Sequence, residues 1–383
     1  MIIDSPVTIA VLFVFFLLLL NYLIFLSRIL NGLKKLNESM NSTLPREFIS
    51  IIIPFRNEAE NILANLSSIE AQLYPQDKFE VIYVDDFSDD NSVDILKSNI
   101  SKSNIKVLSG PQDYSVNAHK KRAIRFGIEN AKGDIIVTTD ADCIYDVEWL
   151  HTMMMMFDSL TGFISGPVEF ITDNNLFSHF QQLEFAGLVL SGAGLMGSGR
   201  PPICNAANIA YRKRVFDEVG GFKDNMNLSS GDDELLMQKI SKDTDFKVKY
   251  CIDKRTIVKT KANSTVSDFF QQRKRWASKG LFYRDRSLVL KLIFIYFFYL
   301  SLIAQFVLAV TTNQIFFLPL IVSILFKFVY EFRILSEGKR KLFNDLSLKY
   351  LFVAEIFQIP YIIYAGVAGI FGNYLWKSRK IKR

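Results

Sequence analysis

The run from Val7 to Leu26, VTIAVLFVFFLLLLNYLIFL, contains no charged residue. As a helix it would rise about 30 Å, the thickness of a bilayer's hydrocarbon core. A cleaved leader is the rival reading, but leaders carry their basic residues before the apolar run and a small-residue cleavage site after it. Here Asp4 precedes the run, Arg28, Lys34 and Lys35 follow it, and no such cleavage site follows. Residues 1–30 are therefore expected to form a transmembrane helix. The positive-inside rule puts the N-terminus outside and everything from Arg28 onward in the cytoplasm.

The other apolar mass closes the chain. Leu288–Val310 and Ile315–Tyr330 read as spans joined by the turn Thr311–Gln314. The stretch from Tyr350 to Trp376 is apolar but holds Glu355, Gln358 and Pro360, and it lies between the basic segments EGKRK (337–341) and KSRKIKR (377–383). A third simple span would put the basic tail outside, against the charge rule. A Pro-broken re-entrant or interfacial segment within 286–376, followed by a cytoplasmic basic tail at 377–383, is the expectation. The net charge of +6 collects beside apolar segments, as contact with anionic headgroups requires, and nothing comparable supports nucleic-acid binding. Cys143, Cys204 and Cys251 have no paired spacing and read as reduced thiols. His151 and His179 have no partner pattern.

Between these flanks, residues 45–285 read as a soluble α/β domain. Short β-branched runs at Phe48–Ile53, Phe79–Val84, Ile105–Leu108 and Ile135–Thr138 alternate with helical periodicity at Glu58–Gln72, Ser92–Ile100 and Lys120–Asn130. That alternation predicts a mixed, mostly parallel sheet covered by helices on both faces. Three strands end in polar signatures: PFRNE (54–58), VDDFSDD (84–90) and TTDADC (138–143). In a parallel sheet all three meet at one edge, where ligands of open α/β sheets bind. Acids gathered there repel one another unless a cation sits among them. The glycine-rich stretch Thr172–Gly199 reads as a mobile or closely packed loop region.

With these signatures in order, the chain resembles the inverting nucleotide-sugar glycosyltransferases of family 2, with the GT-A fold. The resemblance runs from Ser50 to about Gly280. It rests on SIIIPFRNEAENI (50–62), VDDFSDD, HKKRAIRFGI (119–128), the DxD motif Asp140-Ala141-Asp142, CNAANIAYRKRVFDEVGGF (204–222), GDDELL (231–236) and QRKRW (272–276), which matches QxxRW. His119 stands where a glycine is common, and GDDELL carries Asp-Asp where relatives often have Glu-Asp.

The resemblance implies a role for each matched residue. Pro54, Glu58, Asp85, Asp86, Lys120, Asp140 and Arg275 would bind the nucleotide sugar. Asp140 and Asp142 would hold Mg²⁺ or Mn²⁺ at the diphosphate. Asp233 would be the general base, with Asp232 beside it. Asn205, Gln272 and Trp276 would line the acceptor site. Bland roles compete: Asp85 or Asp86 in a local turn, Glu58 in the first turn of a helix, Asp232 as a helix cap, and the helix around Trp276 at the membrane interface with Arg273 and Lys274 among headgroups.

These roles imply an integral protein of a bacterial-type inner or plasma membrane. It would pass a sugar from a nucleotide sugar, a UDP-sugar first, to a lipid or lipid-linked saccharide. A processive polysaccharide synthase is the first alternative, and a catalytically silent membrane scaffold is an alternative of another class.

Overall fold

A computed structural model describes residues 6–37, 43–111, 118–173, 175–226, 228, 231–371, 374–376 and 379–381. Asp4 and four residues of the basic tail (377, 378, 382 and 383) lie outside these.

In chain order the elements begin with α1 (Pro6–Lys35), β1 (Ile49–Phe55), α2 (Ile62–Glu70), β2 (Phe79–Asp85), α3 (Ser92–Asn99), β3 (Ile105–Ser109), α4 (His119–Glu129) and β4 (Ile135–Thr138). Next come β5 (Cys143–Ile144), α5 (Trp149–Met154), β6 (Thr161–Ser165), β7 (Val168–Ile171), α6 (Leu176–Gly197), β8 (Ile209–Arg212), α7 (Lys213–Glu218) and α8 (Glu234–Asp243). The chain continues through β9 (Lys247–Tyr250), β10 (Val258–Lys261), α9 (Val266–Ser278), α10 (Arg286–Thr311), α11 (Phe317–Lys341), α12 (Leu351–Phe371) and the small hairpin of β11 (Tyr374–Trp376) and β12 (Arg379–Ile381).

The main sheet runs β3-β2-β1-β4-β8-β6-β9. β1 to β4 are parallel, whereas β8 runs antiparallel to both its neighbours. The strands are buried on both faces, which is why their sequences are unbroken runs rather than alternations. One face carries α2, α3 and α5 over Ile51, Ile53, Val81 and Val137. The other carries α4, α7 and α8 over Ile52, Ile82, Val84 and Ile136, and its core continues into α1, α6 and α10 to α12. A second, three-stranded sheet, β5-β10-β7, stands beside the first.

The stretch expected to be a loop region, Thr172–Gly199, is instead dominated by α6. Three of its glycines, Gly192, Gly194 and Gly197, are contact points, not turn residues. A Cβ on Gly194 would sit 2.4 Å from the carbonyl of Ile29, and one on Gly197 would sit 2.3 Å from that of Gly32. Glycine lets α1 and α6 cross backbone to backbone, so α1 runs on past its apolar part and docks on the domain. Lys341, at the end of α11, donates to the carbonyls of Leu33 and Leu36 at 2.7 Å each.

Among the described residues, four helices are long and apolar enough to cross a membrane: α1, α10, α11 and the segment Leu348–Gly369, which holds most of α12. The break expected at Pro360 is absent, and α12 runs through it. Two polar residues in that helix are satisfied rather than looped out. Glu355 pairs with Lys327 of α11, and Gln358 accepts from Lys327 at 2.5 Å and from Tyr299 at 3.2 Å. α12 also lies lengthwise along the domain: Phe357 meets Phe180, Tyr361 donates to Glu184 at 2.8 Å, Tyr364 meets Phe270, and Gly369 faces Ala277.

The α1–α6 crossing yields a direct test. Gly194→Val is expected to destabilise the protein by about 1–3 kcal/mol through overpacking, read as a lower melting temperature in detergent. An unchanged melt would contradict the close crossing.

Candidate active site

The register of the parallel strands sets Phe55, Asp85 and Ser109 side by side, and β4 ends earlier, at Thr138 opposite Ile52. The connections leaving this edge hold Glu58, Asp86, Asp140 and Asp142.

The first two connections are stitched together. Arg56 donates to the carbonyl of Asp86 at 2.9 Å, to that of Phe87, and to the Asp89 carboxylate at 2.9 Å. Asn57 accepts from the Asp89 backbone amide at 2.9 Å. Asn57 (φ 52°) and Phe87 (φ 61°) are both left-handed, a conformation costly for side-chain-bearing residues. Such strain persists where surrounding bonds over-determine the loop, and it clusters at functional sites.

Pro54 lies buried in β1 opposite Val84. Glu58 is buried at the turn before α2, its amide donating to Ser92 Oγ at 2.7 Å and its carboxylate accepting from Asn61 at 2.9 Å. Asp85 accepts from the Ser88 amide at 2.9 Å, the local turn that competed with a ligand role. Asp86 is buried against Arg122 of α4 at 2.8 Å. In this structure it braces α4 against the second connection.

The next helix turn brings the acids together. Lys120 lies 2.6 Å from Asp140 and 3.5 Å from Asp232, and so joins the end of β4 to the loop before α8. Burial disfavours its charge, but Asp140 and Asp232 outweigh burial and hold the ammonium well above the usual lysine range. Burial raises the Asp140 carboxyl; Lys120 opposes the rise and Asp142 adds to it. Asp232 is held below the ordinary range: burial opposes ionisation, but Lys120, Lys121 and Lys279 prevail. Asp142 is exposed, and the neighbouring Cys143 thiol is pushed up by burial and by Asp142, which leaves it inert.

Asp233, not Asp232, caps α8. Its Oδ1 accepts from the Glu234 amide at 2.7 Å, and its Oδ2 accepts from the Ala206 amide at 3.0 Å. Ala206 follows Asn205, whose side chain caps its own turn by accepting from the Ala207 amide at 3.0 Å. Lys279 lies 3.6 Å from Asp233 and 3.1 Å from Glu234, and Tyr283 donates to Glu234 at 2.6 Å. Asp233 thus joins the turn at Asn205–Ala206 to the start of α8, and Lys279 and Tyr283 tie Asp233 and Glu234 to the approach to α10.

The QxxRW segment lies on α9. Trp276 packs 5.7 Å from Phe185, and Arg275 is half-buried one turn before Lys279. Gln272 bonds Asn263 at 2.9 Å and Arg273. Arg273 corrects an expectation. It is buried rather than among headgroups, paired with Glu184 and stacked between the rings of Phe269 and Trp276. Lys279 and Arg122 were missed in the sequence. Lys279 sits i+4 from Arg275, so the helix period would have placed it on the motif's face.

The described residues contain no group of three or more metal-ligating side chains. Asp140 and Asp142 still fit a divalent cation, because Mg²⁺ and its like are held by one or two carboxylates together with substrate phosphates. The mutual repulsion of Asp140 and Asp142 is the charge such an ion would relieve.

Glu234 gives a pH test. Burial pushes its carboxyl from 4.5 to about 7, with Lys279 opposing and Asp233 adding. Between those values the folded chain holds a proton that the unfolded chain has released, so stability falls as pH rises through that window. Glu234→Gln is expected to remove this slope. Melts of both proteins at pH 5 and 7.5 check it, and parallel pH dependences would contradict it.

Comparison with known proteins agrees with this geometry. The glycosyl transferase family 2 model matches residues 50–220. A glycosyltransferase of Haloferax volcanii, AglE, is 30% identical over 196 residues, covering 50% of this chain and 60% of that protein. The poly-beta-1,6-N-acetyl-D-glucosamine synthase of Staphylococcus epidermidis is 24% identical over 239 residues, covering 61% and 55%. The matches therefore span 60% or less of these relatives' own lengths. A mannosyltransferase of Pyrobaculum calidifontis, solved with GDP-Man and Mn²⁺, superposes over 95% of this chain and 97% of its own with a TM-score of 0.57 at 17% identity, which establishes a shared fold. The family 2 glycosyl transferase model thus matches the part of the chain that holds β1 to β4 and the acids at their carboxyl ends, and the chain has the GT-A fold.

Proposed function

We propose that the chain is an integral membrane enzyme that transfers a sugar, with inversion, from a nucleoside diphosphate sugar to a lipid or lipid-linked saccharide at the cytoplasmic face. A UDP-sugar is the first donor to test; the Pyrobaculum enzyme's GDP-Man makes a GDP-sugar the second. The carrying observation is the Lys120 bridge, which gathers Asp140, Asp232 and the adjacent Asp233 at one edge of the sheet.

Each residue's part follows from its place. Asp85, next to the stitched loops, faces the nucleoside, and Pro54 and Glu58 shape its bed. Asp86 acts through Arg122. Asp140 and Asp142 would hold a divalent metal ion, which when bound would supply Lewis-acid stabilisation of the diphosphate's charge. Lys120 and Arg275 add positive charge on the same side, the arginine offering its fork to phosphate oxygens. Asp233 takes the acceptor hydroxyl's proton as the new bond forms. Two backbone amides fix its orientation, and the remaining lone pairs of its oxygens stay available to accept. Asp232 orients Lys120. Asn205, beside Ala206, and Trp276, on Phe185, form the acceptor side, with Gln272 holding α9 in shape.

The membrane reading follows from the helices. α12 lies along α6 and α9 rather than leaving the domain end-on, and Phe352, Ile356, Phe357, Tyr364 and Val367 form an exposed stripe on it. Such a helix suits the interface plane. α1, α10 and α11 are then the spans, and the basic ends of α1 and α11 share the cytoplasmic side. An acceptor anchored in that same leaflet meets the site without leaving the surface. The match to a polysaccharide synthase favours a second reading, chain polymerisation.

Purified protein incubated with UDP-sugars or GDP-sugars and extracted lipids should release nucleoside diphosphate and label a lipid. A long polymer from the single chain would favour the second reading, and no release from any donor would overturn the first. Asp142→Ala should abolish turnover and weaken metal-dependent binding of the nucleotide. Asp233→Asn should keep nucleotide binding and lower transfer by about 10²–10⁴-fold, the usual worth of a general base; equal loss of binding would refute its role. Trp276→Ala should raise the KM for acceptor more than that for donor.

A further inference from the structure

A cavity of about 370 Å³ opens where the second sheet meets the connection between α11 and α12. It lies outside the acid cluster. Glu169 of β7 lines it. That side chain is 9% exposed, and its Oε1 is enclosed with no hydrogen-bond partner among the described residues. A buried carboxylate oxygen without a donor calls for an explanation in a native fold. A ligand hydroxyl supplies one. Burial also pushes the Glu169 carboxyl up, with Lys259 opposing and Asp345 adding.

The rest of the lining narrows the ligand. Lys254 is fixed by Asn344 at 2.8 Å and stands on the wall with Lys259, while Asp146 and Asp345 stand among them. Fixed charges of both signs disfavour a strong anion and a strong cation alike. Ile257, Leu342 and Tyr145 give apolar surface between the charges. Apolar patches for C–H faces, carboxylates to accept from hydroxyls and ammonium groups to donate to them suit a neutral polyhydroxylated ligand. The volume lies within the range of about 300–1,000 Å³ usual for small-molecule sites.

Position supplies the source. β5 begins at Cys143, directly after Asp142, so the cavity starts just along the chain from the donor-side acids. Its other wall is the 342–345 connection, which follows the basic end of α11 and so faces the proposed membrane side.

We propose that this cavity is a second saccharide site, separate from the donor site, that holds sugar units of the glycan the enzyme builds or extends. The proposal rests on the transferase reading only for where the saccharide comes from. The test is calorimetric titration of the detergent-solubilised full chain with maltotriose, mannotriose and chitotriose, with and without UDP.

At least one trisaccharide is expected to bind saturably, with the same affinity whether or not UDP is present. Glu169→Ala should weaken that binding at least ten-fold. Asn344→Trp, a change at an exposed loop position that fills the cavity, should abolish it, with UDP affinity unchanged within two-fold and the melt preserved. No binding by any of the three, competition by UDP, or binding indifferent to both variants would overturn the proposal. Saccharide binding without any nucleotide-sugar turnover would leave this site standing and remove the transferase reading; turnover without saccharide binding would do the reverse.

Discussion

A lysine between two carboxylates organises the acid-rich edge of this protein. Lys120 reaches Asp140, just past the end of β4, on one side and Asp232, in the loop before α8, on the other. Without a cation between them, the end of β4 and the loop before α8 would repel each other in a partly buried setting, where charge interactions are poorly screened. The surrounding pairs do related work. Arg122 fastens α4 to the end of β2 through Asp86, and Lys279 holds Asp233 and Glu234 against the end of α9. Three basic side chains thus assemble the acids before any ligand arrives, and a preorganised site costs little reorganisation when charge develops.

The same contacts couple the site to the helices. Glu234 adjoins the proposed base and is bonded to Tyr283, three residues before α10 begins. Trp276 and Arg273 lie on α9, which packs along α12. The acid-rich edge is therefore built partly from elements that continue into the apolar helices. That arrangement suits chemistry on an acceptor held at a membrane surface.

Much of this was legible in the sequence because strand and acid alternate so plainly. Runs such as Ile135–Thr138 can only be buried, and a parallel sheet brings the ends of its strands to one edge, so the fold followed. Three features were not legible. The glycines of α6 read as a loop because composition does not distinguish a glycine that turns from one that admits a neighbouring helix. Pro360, Glu355 and Gln358 read as a break because their compensating partner, Lys327, lies on another helix. Asp86 and Arg273 read as ligand or headgroup contacts because a charged residue's partner is set by tertiary pairing. Arg122 and Glu184, the partners in question, lie 36 and 89 residues away.

On the proposed reading, these acids share one site that a divalent ion and a diphosphate complete. Electron paramagnetic resonance of Mn²⁺ titrated into the solubilised protein tests it most directly. The account predicts weak retention of Mn²⁺ by the protein alone and strong retention once UDP or GDP is added, lost when Asp142 is replaced by alanine. Mn²⁺ retention indifferent to nucleotide, or unaltered by that replacement, would contradict it.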